Sequence, residues 1–186
     1  MSKNFNLDEY FEILDKIIKS IILRPEKNKI TYDILDTEKT INNKIIALKE
    51  KQRQMKIGEI WQEVLGNYHE FINLKIGHET GLDIISHSKK IAIELKNRTN
   101  TDNYSSKKFN FEKLAKFKKH NPDYICIYAN INDNDETTTL KGNMKYIIFD
   151  DVEIIHFIGY KFINYILSNN TEIIIKFIKN TIDKYS

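Results

Sequence analysis

With 186 residues, 41% hydrophobic and 30% charged, the chain has the makeup of a single folded domain with one well-buried core, which excludes a disordered or fibrous protein. The single cysteine, Cys126, excludes an internal disulfide, and the apolar runs are short and broken by Lys, Asn or Asp. No signal peptide or spanning helix is expected, and the reading is a cytoplasmic protein, cellular or viral, without a membrane partner. The net charge is only +3, but eight basic against two acidic residues between Lys96 and Lys119 concentrate +6 there and leave −3 elsewhere.

In chain order, Leu7, Tyr10, Phe11, Leu14, Ile17, Ile18, Ile21 and Ile22 recur at three- and four-residue intervals and predict an amphipathic helix. Asn6 and Glu9 supply its capping signal, and Pro25 marks its end. A second helix is expected after Asp36, burying Ile41, Ile45 and Leu48 and closing in the polar run from Lys49 to Gln54. A third is expected from Ile57 to Tyr68, then a short strand within Phe71 to Ile76. Residues 81–86 and 91–96 are β-rich runs around the turn-like His87-Ser88-Lys89-Lys90 and predict an antiparallel hairpin.

Beyond it, a polar stretch from Arg98 to Tyr104 leads into a basic helix near Ser106 to His120, with Ser105 and Ser106 as caps. A strand from Tyr124 to Ile131 holds Cys126 as a buried residue, and residues 132–143 read as an exposed, mobile, acidic loop. A second hairpin, Met144 to Phe149 and Val152 to Phe157, turns at Asp150-Asp151, and helices near Tyr160 to Leu167 and Thr171 to Lys184 finish the chain. This order implies an α/β fold, a mixed central β-sheet flanked by helices, in one domain over residues 1–186. Within it, 1–54 is a helical N-terminal part, 55–131 the catalytic core, and 132–186 the C-terminal hairpin and helices.

The first hairpin carries the chemistry. Side chains alternate along a strand, so Ile91, Ile93 and Leu95 share one face, and Glu94 and Lys96 the other. A loop of two or four residues sets Asp83 opposite Glu94, and like charges across a ladder destabilise it. A cation between them removes the conflict, and Mg²⁺ is commonly held by one or two carboxylates. Asp83 and Glu94 are therefore read as metal ligands, with the Leu95 carbonyl completing the set. Lys96 is read as the residue that orients or deprotonates the attacking water. A further acid is expected from the preceding helix, where Glu59 and Glu63 share a face; Glu63 is preferred, with Glu70 and Glu79 as weaker candidates. The alternative is a hairpin whose acids and lysine form a solvated charge ladder.

The five histidines show no zinc spacing, and no Gly-rich phosphate loop occurs. The basic segment, including Lys107 and Lys108, suits contact with a phosphate backbone, and the hydroxyls of Ser105 and Ser106 could add to it. The functions so defined are a sequence-specific nuclease, a repair or recombination nuclease such as a Holliday-junction resolvase, or a DNA-binding protein without catalysis.

Asp83 followed by Glu94-Leu95-Lys96 resembles the signature of the PD-(D/E)XK nuclease superfamily, with Leu82 where proline is common. Residues 58–63, 77–83 and 94–103, and more weakly 105–108 and 159–160, resemble a type II restriction endonuclease family similar to enzymes that cleave GGNCC. The resemblance implies a restriction-endonuclease-like core and Mg²⁺-dependent cleavage of double-stranded DNA by a homodimer, beside a cognate DNA methyltransferase. It carries over to Asp83, Glu94 and Lys96, and to Glu63 as the helix acid. Asn97, Arg98, Asn100 and Asn103 follow the catalytic strand and are chemically suited to reading bases.

Overall fold

The structure is a computed structural model that describes residues 5–25, 29–75, 77–98 and 104–186. Helix α1, Leu7–Ile22, starts as its sequence indicates: the Asn6 side chain accepts hydrogen bonds from the N–H groups of Asp8 and Glu9. It buries Tyr10, Leu14, Ile18 and Ile21 on one stripe.

Helix α2, Glu38–Gly66, replaces the two helices expected between Asp36 and Tyr68. The run Lys49-Glu50-Lys51-Gln52-Arg53-Gln54-Met55-Lys56 consists of good helix formers, so its polarity leaves the helix solvated without ending it. Gly58 does not break the helix either. A Cβ there would lie 3.4 Å from the Asn97 side chain, an ordinary packing distance.

Strand β1, Ile72–Asn73, is shorter than the expected 71–76. Strands β2, Ile84–Ser86, and β3, Ile91–Arg98, form the expected hairpin, pairing Ile84 with Ile93, Ile85 with Ala92 and Ser86 with Ile91. Helix α3, Tyr104–His120, crosses over to β4, Ile125–Asn132, which runs parallel to β3. Ser105 and Ser106 thus lie inside the first turn of α3 as its second and third residues, and not at the cap expected of them.

The expected loop at 132–143 instead contains helix α4, Glu136–Lys141, capped by Asp135 and closed by Gly142 at φ 77°. Strands β5, Asn143–Phe149, and β6, Val152–Ile158, make the second hairpin, with Asp150 and Asp151 both at positive φ as a two-residue turn of this twist requires. Helices α5, Tyr160–Leu167, and α6, Thr171–Tyr185, follow.

The six strands form one mixed sheet in the order β1-β2-β3-β4-β6-β5. Strand alternation divides the core. Ile91, Ile93, Leu95, Ile127, Ala129 and Phe157 pack with residues of α1, α2, α5 and α6, whereas Ala92, Cys126, Tyr128 and Ile154 pack with Phe111, Leu114 and Ala115 of α3. The sheet is therefore a mixed α/β layer flanked by helices, and Glu94 and Lys96 project from the face that α3 covers. No helix among the described residues is long and apolar enough to cross a membrane.

Candidate active site

Glu94 is 1% exposed, a burial that an ionised carboxylate tolerates only with charged partners. Two ammoniums supply them. Lys96 Nζ donates to Oε1 at 2.7 Å and Lys113 Nζ donates to Oε2 at 2.8 Å. Lys96 comes from the same strand face, one pleat on, as the alternation requires. Lys113 comes from α3 and also donates to the Gly81 carbonyl at 2.8 Å, tying that helix to the loop ahead of β2. Gly81 has φ 65°, and a Cβ there would lie 3.1 Å from Lys113 Cδ, so both its backbone and its missing side chain serve this contact.

Asp83 stands one residue before β2, just beyond the last paired residues, Ile84 and Ile93. Its N–H donates to the Ile93 carbonyl at 3.1 Å, and its Oδ2 accepts the Leu95 N–H at 2.7 Å. Burial raises the pKa of Asp83, and the Glu94 charge raises it further, against the Leu95 N–H, Lys96 and Lys113, which lower it. The two carboxylates therefore repel one another across the hairpin, although the Asp83 N–H bonds to Ile93 and the two acids are not ladder partners. Since the N–H and C=O of one strand residue leave on the same edge, the Leu95 carbonyl also faces the β2 side.

Two mutually repelling carboxylates, one deeply buried, form a donor set that suits a hard divalent cation completed by water and phosphate oxygens. Among the described residues, no group of three His, Cys, Asp or Glu side chains could hold a metal. Glu63 pairs with Lys75 and accepts from Asn67 Nδ2 at 2.9 Å, whereas Glu59 pairs with Arg24. The structure thus does not gather either helix acid onto the Asp83–Glu94 pair. A chain of contacts links Glu63 to Asp83: Lys75 pairs with Glu63, and the preceding Leu74 donates its N–H to the Asp83 carbonyl at 2.9 Å. Glu70 lies beside His69, 3.7 Å away.

Of the residues expected to meet DNA, Asn97 is engaged inside the protein. Its Nδ2 donates to the Gln54 carbonyl at 3.0 Å, and its Oδ1 accepts from Asn132 Nδ2 at 2.9 Å. Arg98 ends β3, 3.9 Å from Glu50. Asn100 and Asn103 lie outside the described residues. Ser105, Ser106 and Lys108 are exposed on the first turns of α3, and Lys107 Nζ sits 6.0 Å from the Tyr128 ring centre. The basic segment separates by role: Lys113 enters the site, Lys119 pairs with Asp150, and Lys118 donates to the Pro122 carbonyl.

Lys113 is the site residue that sequence reasoning missed. It is one of seven lysines in the basic segment, and nothing in its spacing separates it from Lys116 or Lys118. A second unforeseen feature extends the polar row across the sheet, where Glu94 pairs with Tyr128 and Tyr128 with His156. His156 is 3% exposed and donates Nε2–H to Asn130 Oδ1 at 2.7 Å, while Asn130 Nδ2 donates to the Arg98 carbonyl at 3.3 Å. Burial, followed by Lys107 and Lys145, lowers the His156 pKa to about 4.

An acid pair across a hairpin, with a lysine on the central strand beside one acid and a basic helix over the sheet, suits the hydrolysis of phosphodiesters. No curated protein and no solved structure matches the chain. The sequence model of the Eco47II restriction endonuclease family does match, over residues 7–185. That span includes every residue of the site, and the chain belongs to the Eco47II restriction endonuclease family: it is a sequence-specific DNA endonuclease of type II.

Proposed function

We propose that this endonuclease cleaves duplex DNA at GGNCC sites with Mg²⁺ held by Asp83, Glu94 and the Leu95 carbonyl. The observation that carries the reading is the Asp83–Glu94 repulsion, which costs stability in the protein alone and is relieved by a cation. When bound, a divalent ion would stabilise charge on the phosphoryl oxygens and acidify a water. The remaining work falls to the chain. Lys96, on Glu94 Oε1, orients or deprotonates the attacking water, and Lys113 balances the second Glu94 oxygen and anchors α3 over the site. Glu63 is the supporting helix acid, reached through Lys75.

Arg98, Asn100 and Asn103 are proposed to read bases, and Ser105, Ser106, Lys107 and Lys108 to contact phosphates. Asn97 would have to surrender its bonds to Gln54 and Asn132 to do the same, so its role is to hold the strand end. A palindromic target fits a homodimer with two-fold symmetry, and a cognate methyltransferase would protect the host's own sites.

Digestion of unmethylated plasmid by the purified protein with Mg²⁺ tests the reading. Discrete fragments whose sequenced ends all map to GGNCC are expected. Uncut plasmid across salts and metals contradicts the nuclease, and ends at another sequence contradict the specificity alone.

A further inference from the structure

Helix α2 runs about 43 Å at 1.5 Å per residue, far more than its role in the core requires. Its buried anchors Ile60, Val64 and Leu65 all lie near its C-terminal end, and Gln52 is the one buried residue ahead of them. What precedes that anchorage is strongly basic. Residues 38–56 hold six basic and two acidic residues: Lys39, Lys44, Lys49, Lys51, Arg53 and Lys56 against Glu38 and Glu50.

This basic half joins the protein beside the site. The Gln54 carbonyl receives Asn97 Nδ2, and Glu50 lies 3.9 Å from Arg98 Nη2, so the strand leaving the active site leans on residues 50–54 of α2. From Glu50 back to Glu38 the helix projects about 18 Å further, the length of roughly five base pairs of duplex.

The apolar residues of this half exclude the most obvious protein partner. Ile41, Ile45, Leu48 and Met55, with the polar Gln52 in the remaining place, follow the alternating four-and-three spacing of a coiled-coil seam. The flanking positions are Lys44 and Lys51 on one side, and Lys49 and Lys56 on the other. A second copy docked there in either direction would set lysine against lysine, which repels. Charge complementarity instead selects a polyanion.

We propose that the N-terminal half of α2 is a second DNA-binding element, in which Lys49 and Arg53 on one flank of the helix and Lys51 on the other contact phosphates of the duplex beside the cleavage site. The proposal rests on the endonuclease reading and deepens it. These three residues are exposed and bury no core surface, so replacing them leaves the packing intact. The contacts are to phosphate and carry no sequence information.

The test is fluorescence anisotropy on duplexes of about 30 base pairs, cognate and scrambled, without divalent metal so that nothing is cut, over roughly 50–200 mM salt. The triple variant K49Q/K51Q/R53Q is expected to bind about tenfold more weakly at mid-range salt. Its slope of log affinity against log salt should be shallower by about 2–3, for three lost phosphate contacts. The loss should be equal on both duplexes, and K49R/K51R should keep the wild-type slope. An unchanged slope in the triple variant, or a loss confined to the cognate duplex, overturns the proposal. Those results leave the endonuclease reading standing if the wild type still cuts plasmid; a wild type that neither cuts nor binds duplex takes that reading down as well.

Discussion

Asp83 sits beside a deeply buried carboxylate, and burial together with that neighbour's charge raises its pKa. An acid whose pKa is higher folded than unfolded costs stability as pH rises through the ordinary carboxylate range, and the cost is constant once both forms are ionised. Asp83→Asn removes the charge and can still accept the Leu95 N–H. The variant is expected to be more stable than wild type by about 0.5–1 kcal/mol at neutral pH without metal, a rise of roughly 1–4 °C in Tm. In thermal melts the gain should vanish at pH values below the ordinary carboxylate range, and plasmid cleavage should be lost throughout. This residue was legible in the sequence because a four-residue loop fixes a register, and a register puts two particular side chains on one face. Lys113 was not legible, because its partner depends on where α3 lies on the sheet, which no local pattern encodes. Glu63 shows the same limit: helical spacing placed it on a face with Glu59, but it could not foretell Lys75.

The elements were read where one physical signal dominates. The second hairpin appeared through its Asp-Asp turn, and α1 through a clean apolar stripe with an Asn cap. The apolar pattern divides helix α2 in two because its buried face is confined to one end, so periodicity fades where propensity alone sustains the helix. Helix α4 escaped because three threonines weigh against a helix, while Asp135 and Gly142, its two stops, decide for it. Helix α3 is the element whose docking matters most to the site, and Lys113 is its anchor. Lys113→Met leaves Glu94 with one cation instead of two, at a cost of roughly 1–3 kcal/mol. Calorimetry should show Tm lower by about 3–10 °C, part of it recovered by added Mg²⁺. An unchanged Tm would mean that α3 is held by Phe111 and Leu114 alone.

Across the whole molecule the two helical layers trap one polar row between them, running from Asp83 through Glu94 and Tyr128 to His156. His156 ties β6 through Asn130 to the end of β3, and so links the far side of the sheet to the strand that carries the site. Its pKa of about 4 lies below that of an unfolded histidine, so the unfolded chain takes up a proton first as pH falls. Stability is therefore fully present above about pH 6.5 and is lost progressively down to about pH 4. Denaturant unfolding of His156→Gln should show a pH slope in that window smaller by up to about one proton than that of wild type. An identical slope would mean that His156 is charged in the folded protein.

The chemistry assigned to this family member stands or falls on whether Asp83 and Glu94 together bind a divalent ion. Calorimetric titration of the folded, DNA-free protein with Mn²⁺ measures this without any turnover. Wild type should bind with a heat that Mg²⁺ competes away, and Asp83→Asn should lose at least about tenfold in affinity, since even losing a residue that only supports a ligand costs that much. Equal binding by the two proteins would contradict the assignment and place the metal elsewhere on the chain.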